Sequence, residues 1–331
     1  MPANRRSHIP LRWAIIGSGN IARRFAADFS HVTDAQLVGV LSRRPDAAAE
    51  FARAHGLPRH YADLAALLAD EIDAVYVATP HTAHPHYALA CLEAGIAVLS
   101  EKPAAPSLAL LEPVLQSAER HGVLFMEAMK SAFYPLYRQV KTMIAEGAIG
   151  EVNFVQAGFA FVAADRTHGV FDPQLAGGSL LDVAIYAAFL ACDMLGAPRE
   201  VKAFLEVGAS GVDELAALAC RHQRGLSSLC SGLKSSTDGR AVIGGSAGHI
   251  AIEGKWWNPR RAYYAPLNGT PQILEAAFTG GGLCHETQHF NDLLRRGATQ
   301  SDIVPFDLSR AMIRTMDLAR ADAGLRFPFE G

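Results

Sequence analysis

Short apolar runs alternate with longer amphipathic segments through the first part of the chain. Short runs bounded by Gly, Pro or polar residues are typical of buried strands, whereas apolar residues at helical spacing indicate helices. The predicted strands are residues 11–16, 37–41, 73–78, 96–99 and 123–126. The predicted helices are residues 21–29, 45–55, 62–68, 85–94 and 108–121. This alternation predicts a doubly wound parallel sheet, with helices on both faces, over residues 1–128.

The pattern changes after residue 128. A helix at 134–146, a strand at 151–161 and a long helix at 178–195 are predicted first. Strand-like runs without helices between them follow at 201–207, 216–221, 227–231, 241–243 and 249–252. Two terminal helices are predicted at 286–296 and 308–323, the second capped by Asp307 and ended by Gly324. The expected fold class is therefore α/β, with an α+β second domain on a mostly antiparallel open sheet over residues 129–331.

Composition narrows the classes of function. The 331 residues are 50% hydrophobic and 19% charged, which suits two large apolar cores. Thirty basic and 33 acidic side chains leave a formal charge of −3, so no basic surface is available for nucleic acid. The apolar run Val183–Cys192 falls well short of the ~20 residues that a membrane span needs. The start Met1–Arg6 lacks the apolar run of a secretion signal, and the five cysteines are scattered, so we expect a reducing, cytoplasmic location.

A glycine-rich turn follows the first predicted strand. Residues 17–22 read GSGNIA, a G-x-G-x-x-A fingerprint between a strand and a helix. In this context the turn brings a dinucleotide pyrophosphate to the backbone and to the N–H groups of the helix N-terminus. The residues expected to bind it are Gly17, Ser18, Gly19, Asn20 and Ile21. A turn with a purely structural role is the alternative.

The end of the second strand indicates which dinucleotide is bound. NAD enzymes usually place Asp or Glu there, whereas this chain has Ser42, Arg43 and Arg44. One hydroxyl and two guanidinium groups suit a 2′-phosphate, since Arg makes bidentate, charge-assisted hydrogen bonds. We therefore expect NADP, with NAD as the second choice. Two solvated surface arginines are the alternative interpretation.

Polar residues follow the next two strands, at the sheet edge where ligands bind in this architecture. They are Thr79, Pro80, His81 and His84 after one strand, and Glu101 and Lys102 after the other. A desolvated Lys102 beside a nicotinamide could stabilise a tyrosine phenolate and so lower its pKa. A surface lysine is the alternative. The histidines at 81, 84 and 86 lack a nearby carboxylate or thiolate, so we expect hydrogen bonds within the loop and no metal.

Two further motifs carry candidate chemistry. Asp182 and Tyr186 are four residues apart on the long apolar helix, so they share one face. Tyr186 could move a proton while Asp182 orients it, although a core tyrosine with a buried partner is the commoner case. The second motif is His285-Glu286-Thr287-Gln288-His289, a literal H-E-x-x-H zinc signature. Its short helix and few following acids make a zinc hydrolase a poor interpretation.

Taken together, these motifs resemble the family of glucose–fructose oxidoreductase, inositol dehydrogenase and MocA, over nearly the whole chain. The resemblance is carried by residues 17–22, by Thr79-Pro80-His81 with His84, by Glu101-Lys102-Pro103, and by Gly177-Gly178 through Asp182 to Tyr186. Met126-Glu127-Ala128, and Tyr at 186 in place of His, are similar to the branch of dimeric dihydrodiol dehydrogenases and NADP-linked aldose dehydrogenases. That branch has an aromatic residue and an arginine where this chain has Lys130 and Ala132.

The resemblance implies that Lys102 and Tyr186 act together, with Asp182 beside them, in a dehydrogenase or reductase acting on CH–OH groups. Dihydrodiol dehydrogenase chemistry is the related possibility. The expected substrate is a sugar, cyclitol or trans-dihydrodiol, and Tyr186 takes the hydroxyl proton while hydride goes to NADP. A cofactor-sensing regulator without activity is the alternative on the same scaffold, and the zinc hydrolase is a third hypothesis.

The last expectation concerns assembly. The strand at 151–161 carries apolar residues on both faces, and the long helix can cover only one of them. A broad apolar sheet face usually marks an interface, and a self-complementary patch closes most simply as a two-fold dimer. The family resemblance implies the same arrangement. We therefore expect a homodimer through the sheet of the second domain, and neither a nucleic acid nor a membrane partner.

Overall fold

A computed structural model describes residues 10–330. The polar start Met1–Arg6, considered above for a secretion signal, lies outside these residues. The chain forms two compact units that interleave along the sequence. The first unit contains the residues up to Ala104, Ala109–Lys130 and Thr279–Phe306; the second contains Ala105–Leu108, Ser131–Phe278 and the residues from Asp307 onward. The division predicted from sequence was a single boundary after residue 128.

The first unit contains a six-stranded sheet. Its strands are β1 (Leu11–Ile16), β2 (Ala35–Leu41), β3 (Arg59–Tyr61), β4 (Ala74–Val77), β5 (Ala97–Glu101) and β6 (Phe125–Ala128). The alternating helices are α1 (Asn20–Asp28), α2 (Pro45–His55), α3 (Leu64–Leu68), α4 (His84–Glu93) and α5 (Leu108–His121). All neighbouring strands are parallel, in the order β3-β2-β1-β4-β5-β6. The doubly wound fold is confirmed, and its strand order reverses between β1 and β4, where such folds bind ligands.

Sequence reasoning missed the edge strand of this sheet. β3 has only three residues, Arg59-His60-Tyr61, and the predicted helix over 62–68 is shortened to α3. Two polar residues in three give no apolar run to detect. The strand exists because its backbone pairs with Gly39–Leu41 of β2. Tertiary pairing of this kind commonly overrides local preference.

The second unit contains an eight-stranded sheet. Its strands are β7 (Val152–Ala160), β8 (Glu200–Val207), β9 (Asp213–Arg221), β10 (Leu226–Gly232), β11 (Ala241–Gly245), β12 (Gly248–Ile252), β13 (Arg261–Pro266) and β14 (Gln272–Glu275). Their order is β14-β13-β12-β11-β7-β10-β9-β8, antiparallel except for the β7–β10 pair. The predicted, mostly antiparallel sheet is confirmed. β13 and β14 were missed because their short, mixed sequences carry no clear alternation.

Two helices of this unit lie in its first half, α6 (Pro135–Ala145) and α7 (Ile185–Leu195). Residues Ile185–Cys192 of α7 are all buried, and the helix packs on β7. On β7, Val155, Ala157 and Phe159 are buried while Phe154 is exposed. α7 therefore covers one face of the sheet.

The predicted long helix over 178–195 needs correction at its start. Regular α-helix begins only at Ile185, and a π-helical turn, Leu180–Ala184, precedes it. A π-turn bonds each N–H to the carbonyl five residues back, and such turns occur frequently at functional sites. The sequence pattern cannot show this turn, because its residues are as apolar as those of the α-helix that follows.

The chain then contributes α8 (Leu283–Arg295) to the first unit and α9 (Phe306–Ala323) to the second. α8 packs on the first sheet through Phe290, whose ring centroid lies 5.1 Å from that of Trp13. The Trp13 indole also donates to Asn291 Oδ1 at 3.0 Å. Asp307 lies in the first turn of α9 and is not its cap, since the helix already begins at Phe306.

One described segment, Pro173–Leu195, is long and apolar enough to cross a membrane by length and composition. Of its most apolar window, 89% is buried inside the protein. The core helix of a folded unit passes the same test, because a helix buried all round is apolar all round.

Candidate active site

The glycine-rich turn lies at the carboxyl end of β1. Gly17 has φ +118°, and a Cβ there would lie 2.3 Å from the Ala78 carbonyl oxygen after β4. Any side chain at 17 would therefore separate β1 from the β4 loop. A Cβ at Gly19, in contrast, would meet nothing within 4 Å. This opening leaves room for a ligand against the backbone, as the fingerprint predicts.

The N-terminus of α1 is free to bind an anion. Its N-cap is Gly19, which offers no side-chain hydrogen bond, and the first turn contains no acidic residue. The unpaired N–H groups and the positive end of the helix dipole therefore face the opening above Gly19. Ser18 and Ser42 hold the ends of β1 and β2 together, with their hydroxyl oxygens 2.9 Å apart.

Arg43 and Arg44 lie beyond β2 and are exposed. Among residues 10–330, neither guanidinium makes an ion pair or a side-chain hydrogen bond. An arginine pair without internal partners is available for an external anion. Both arginines stand at the strand end where the adenosine ribose of a dinucleotide lies in this fold.

The loop after β4 is tied to the loop after β5 through His84. Its Nδ1 lies 2.8 Å from the Pro103 carbonyl oxygen, and its Nε2 lies 2.7 Å from that of Thr79. Complete burial lowers the pKa of His84, although both carbonyls favour the charged ring. The hydroxyl of Thr79 is buried and has no hydrogen-bond partner in the described protein. An unpaired buried hydroxyl at this edge fits a polar ligand group.

Glu101 orders the segment that carries Lys102. Its carboxylate accepts hydrogen bonds from the Tyr76 hydroxyl and, at 3.1 Å, from the Lys102 amide. Burial raises the pKa of Glu101, while these donors and the nearby ammonium groups lower it. In this structure Glu101 therefore fixes the backbone of the segment that carries Lys102. Lys102 itself is half-buried directly beyond the strand.

Sequence reasoning missed two buried charged residues beside Glu101. Lys130 is 7% exposed, and burial lowers its pKa to about 8. Glu286 on α8 is fully buried, and burial raises the pKa of its carboxyl well above the ordinary value. Lys130 and Glu286 are close enough to shift each other's pKa, and Glu101 shifts the pKa of both. The one available signal was a lysine within the mostly apolar stretch from Phe125 to Tyr137.

Asp182 and Tyr186 belong to the second unit. Asp182 lies within the π-turn and is half-buried, while Tyr186, in the first turn of α7, is 9% exposed. The Phe159 ring of β7 lies 6.0 Å from the Tyr186 ring, and the Trp257 ring stacks on Phe159 at 3.5 Å. The tyrosine therefore stands at one end of an aromatic wall.

The two histidines of the H-E-x-x-H motif make hydrogen bonds within the protein. The His285 ring accepts from the Thr279 amide at 3.2 Å, and His289 Nε2 lies 2.9 Å from the Ser301 hydroxyl. Glu286, between them in sequence, is buried and has no hydrogen-bond partner in the part of the chain that the structure describes. Among residues 10–330 no group of three His, Cys, Asp or Glu side chains could hold a metal ion.

Comparisons with known proteins agree with this geometry. The family model "Oxidoreductase family, NAD-binding Rossmann fold" matches residues 11–129, and "GFO/IDH/MocA C-terminal domain" matches residues 137–251. The trans-1,2-dihydrobenzene-1,2-diol dehydrogenase of Mus musculus is 30% identical, over 96% of this chain and 98% of that protein. The scyllo-inositol 2-dehydrogenase (NADP(+)) IolU of Bacillus subtilis is also 30% identical, with the same coverage.

A solved structure resembles the whole fold. Levoglucosan dehydrogenase, in complex with NADH and levoglucosan, gives a TM-score of 0.87 at 19% identity and covers 95% of this chain and 97% of its own. The sheet order, the fingerprint turn and these matches define a NAD(P)-dependent oxidoreductase with a Rossmann fold. The chain belongs to the GFO/IDH/MocA family. The family resemblance found in the sequence is thus confirmed.

Proposed function

We propose that the protein transfers hydride between NADP and a carbinol or carbonyl carbon. The preference for NADP is supported by Arg43 and Arg44, which follow the strand that would end in Asp or Glu in an NAD enzyme. Neither arginine pairs with an anionic side chain among residues 10–330. Gly17–Ile21, Ser42 and the polar residues Thr79, Pro80, His81 and His84 would hold the dinucleotide along the sheet edge. When bound, the nicotinamide accepts or delivers the hydride.

Tyr186 is the proposed general acid and base. In oxidation its phenolate takes the substrate hydroxyl proton, and in reduction its phenol returns that proton to the carbonyl oxygen. Lys102 is proposed to stabilise the phenolate electrostatically, because an ammonium nearby lowers a phenol pKa. Asp182, one turn before Tyr186, orients the hydroxyl. The observation that carries this assignment is Tyr186 at the end of the aromatic wall, in the turn that follows the π-helical segment.

The proposed substrate is a sugar, a cyclitol or a trans-dihydrodiol. The names of the two relatives, a dihydrodiol dehydrogenase and an inositol dehydrogenase, support this range. The wall formed by Phe159 and Trp257 supports a ring-shaped substrate, because an aromatic face packs well against the apolar side of a ring. A polyol ring with its hydroxyl toward Tyr186 satisfies both observations.

Replacing Tyr186 by Phe tests the chemistry. We expect kcat to fall by ~10²–10⁴, the range for a lost general base, on any substrate of a panel of aldoses, inositols, anhydrosugars and cyclic trans-diols. Reduced nicotinamide absorbance gives the readout. Tyr264→Phe is the matched control, because its hydroxyl only donates to the Ala148 carbonyl at 2.8 Å. Full activity of Tyr186→Phe would refute the assignment.

The nucleotide preference has a separate test. Arg43→Ala should weaken the binding of NADP far more than the binding of NAD, since only NADP carries the 2′-phosphate. Arg53→Ala removes another exposed arginine from the last turn of α2 and serves as the charge control. Equal losses of affinity for NADP and NAD would contradict the role of the arginine pair.

We further propose a homodimer through the open face of the eight-stranded sheet. Leu226 pairs in register with Phe154, and both side chains are exposed. Four residues further along the register, Phe204 is 84% exposed and pairs with Ala217, which pairs on its other side with the exposed Cys230. Exposed aromatic and aliphatic side chains on one face are typical of an interface. Sedimentation at micromolar concentration tests this, and a mass near 35.4 kDa would refute it.

The proposed location is cytoplasmic. All five cysteines are free thiols, and four of them are buried. A reducing compartment preserves thiols in this state. Thiol titration of the unfolded protein, purified without reductant, should find five reactive groups per chain; paired cysteines would contradict the proposal.

A further inference from the structure

One buried carboxylate of the second unit lies outside every motif considered above. Asp213 is the first residue of β9, and its side chain is 1% exposed. Its Oδ2 accepts hydrogen bonds from the Ser179 hydroxyl at 2.8 Å and from the Leu180 amide at 2.7 Å. These two donors stand at the start of the π-turn, so Asp213 closes the N-terminus of the helix that carries Asp182 and Tyr186.

The contact extends across the sheet. The Ser179 hydroxyl also lies 2.8 Å from the Ser231 hydroxyl on β10. Ser179 and Ser231 are both buried. The start of the helix is thus tied to β9 through a carboxylate and to β10 through a hydroxyl.

The same carboxylate explains a glycine of the family motif. Gly178 has φ +116°, and a Cβ there would lie 2.1 Å from Asp213 Oδ1. Only glycine allows the backbone to approach the carboxylate so closely. Gly178 therefore makes room for the anchor, whereas a Cβ at Gly177 would lie 2.4 Å from the Val170 carbonyl oxygen.

We infer that Asp213 is a positioning residue that fixes the π-turn, and through it the placement of Asp182 and Tyr186. This inference rests on the proposed role of Tyr186. When the first turn is anchored, the phenol is held in its reactive position before the substrate arrives, so no free energy is spent on positioning it at each turnover. A displacement near 1 Å can reduce a rate by ~10².

The groups around Asp213 define how the anchor responds to pH. From the packed elements it faces Ser179, the Leu180 amide and, through Ser179, Ser231, all of them uncharged. Glu214, the next residue along β9, is paired with Arg166. Burial raises the pKa of Asp213 to about 7, while its hydrogen bonds lower it. The carboxyl is therefore ionised as the pH rises through about 7, and ionisation strengthens the hydrogen bonds it accepts locally at a cost in the stability of the whole fold.

Asp213→Asn tests the anchor, with hydrogen exchange and kinetics as joint readouts. In the variant, amide exchange over residues 180–186 should become at least about tenfold faster, while exchange over β7 stays unchanged. kcat should fall about tenfold or more with the KM for NADP held within about twofold. The rise of kcat around pH 7 should be absent. Ser179→Ala, which keeps the carboxylate, should show the same changes more weakly, and supplies the test where Asp213→Asn does not fold.

The control is Asp63→Asn, which makes the same change at the N-cap of α3, where Asp63 accepts from the Ala66 amide at 2.8 Å. It should leave kcat unchanged. Unchanged exchange at 180–186 in Asp213→Asn would overturn the anchor. Faster exchange with unchanged kcat, on a substrate whose turnover Tyr186→Phe abolishes, would overturn the positioning role. Activity that survives Tyr186→Phe would instead refute the proposed function and is recognised separately.

Discussion

Two helices of this protein begin in opposite ways. α1 begins after Gly19 with no side-chain cap, no acid in its first turn, and open space where a Cβ would stand. The helix that carries Tyr186 begins at a buried carboxylate, and its first amide donates to Asp213 at 2.7 Å. Both N-termini have unpaired N–H groups and a positive dipole end. The N-terminus of α1 leaves its N–H groups for an external anion. At the start of the helix that carries Tyr186, the Leu180 amide already donates to Asp213.

The difference shows how the same backbone physics serves binding and positioning. An open N-terminus gains its partner only when an anionic ligand arrives, so its free energy contributes to affinity. A closed N-terminus contributes to stability and rigidity of the fold before any ligand binds. In both cases glycine makes the approach possible: Gly19 toward solvent, and Gly178 toward Asp213. Four predictions test this contrast.

The largest expected effect concerns the charge of Asp213, at the closed N-terminus of the helix that carries Tyr186. Burial raises the pKa of Asp213 from 3.8 in the unfolded chain to about 7. A raised pKa means that its contribution to stability is complete below about pH 4 and is lost as pH rises through about 7. The stability of the wild type relative to Asp213→Asn should fall across this window by up to about 4 kcal/mol, at 1.36 kcal/mol per pKa unit. Urea unfolding between pH 4 and 8 measures it, and a pH-independent difference would disprove the shift.

Gly178→Ala should destabilise the fold by about 3 kcal/mol, since it adds left-handed strain and forces a methyl group against Asp213. Gly56→Ala is the matched control. Gly56 ends α2 in the left-handed conformation at φ +65°, and its Cβ would meet nothing within 4 Å. The control should cost only about 1 kcal/mol in chemical denaturation. Equal losses for both variants would show that the approach to the carboxylate is unimportant.

Gly19→Ala should destabilise the ligand-free protein by no more than about 1 kcal/mol, because alanine is a poorer N-cap than glycine while the new methyl group meets no protein atom. The same substitution should weaken the binding of NADPH at least about tenfold, near 1.4 kcal/mol, because the methyl group occupies the space where a pyrophosphate reaches the backbone. Fluorescence titration and thermal melting separate the two quantities. Unaltered NADPH affinity would mean that the opening is not the phosphate site.

The smallest effect follows from adding an acid to the open end. Asn20→Asp should stabilise the ligand-free protein by about 0.3–1 kcal/mol, because a carboxylate in the first turn complements the α1 dipole. The same charge should repel the phosphates and weaken NADPH. Added salt should reduce both effects, since exposed charges are screened. Tighter NADPH binding by the variant would contradict the open-end interpretation.

The sequence alone determined the alternation of strands and helices in the first unit, the antiparallel sheet of the second, and the fingerprint at residues 17–22. Each is written in a local pattern, because strand and helix periods, glycine turns and strand-end residues are read over a few neighbouring positions. The family motifs around Lys102 and Tyr186 were visible for the same reason, although their catalytic roles stay predictions.

Only the tertiary structure decided the rest. Asp213 lies 34 residues from Ser179 in sequence, and no local pattern pairs them. Lys130 and Glu286 become coupled only because α8 returns to the first unit. The edge strand β3 exists through its pairing with β2. Burial and long-range contact set the pKa of a carboxyl group and the close approach to a glycine, and both depend on which distant residues the fold brings together.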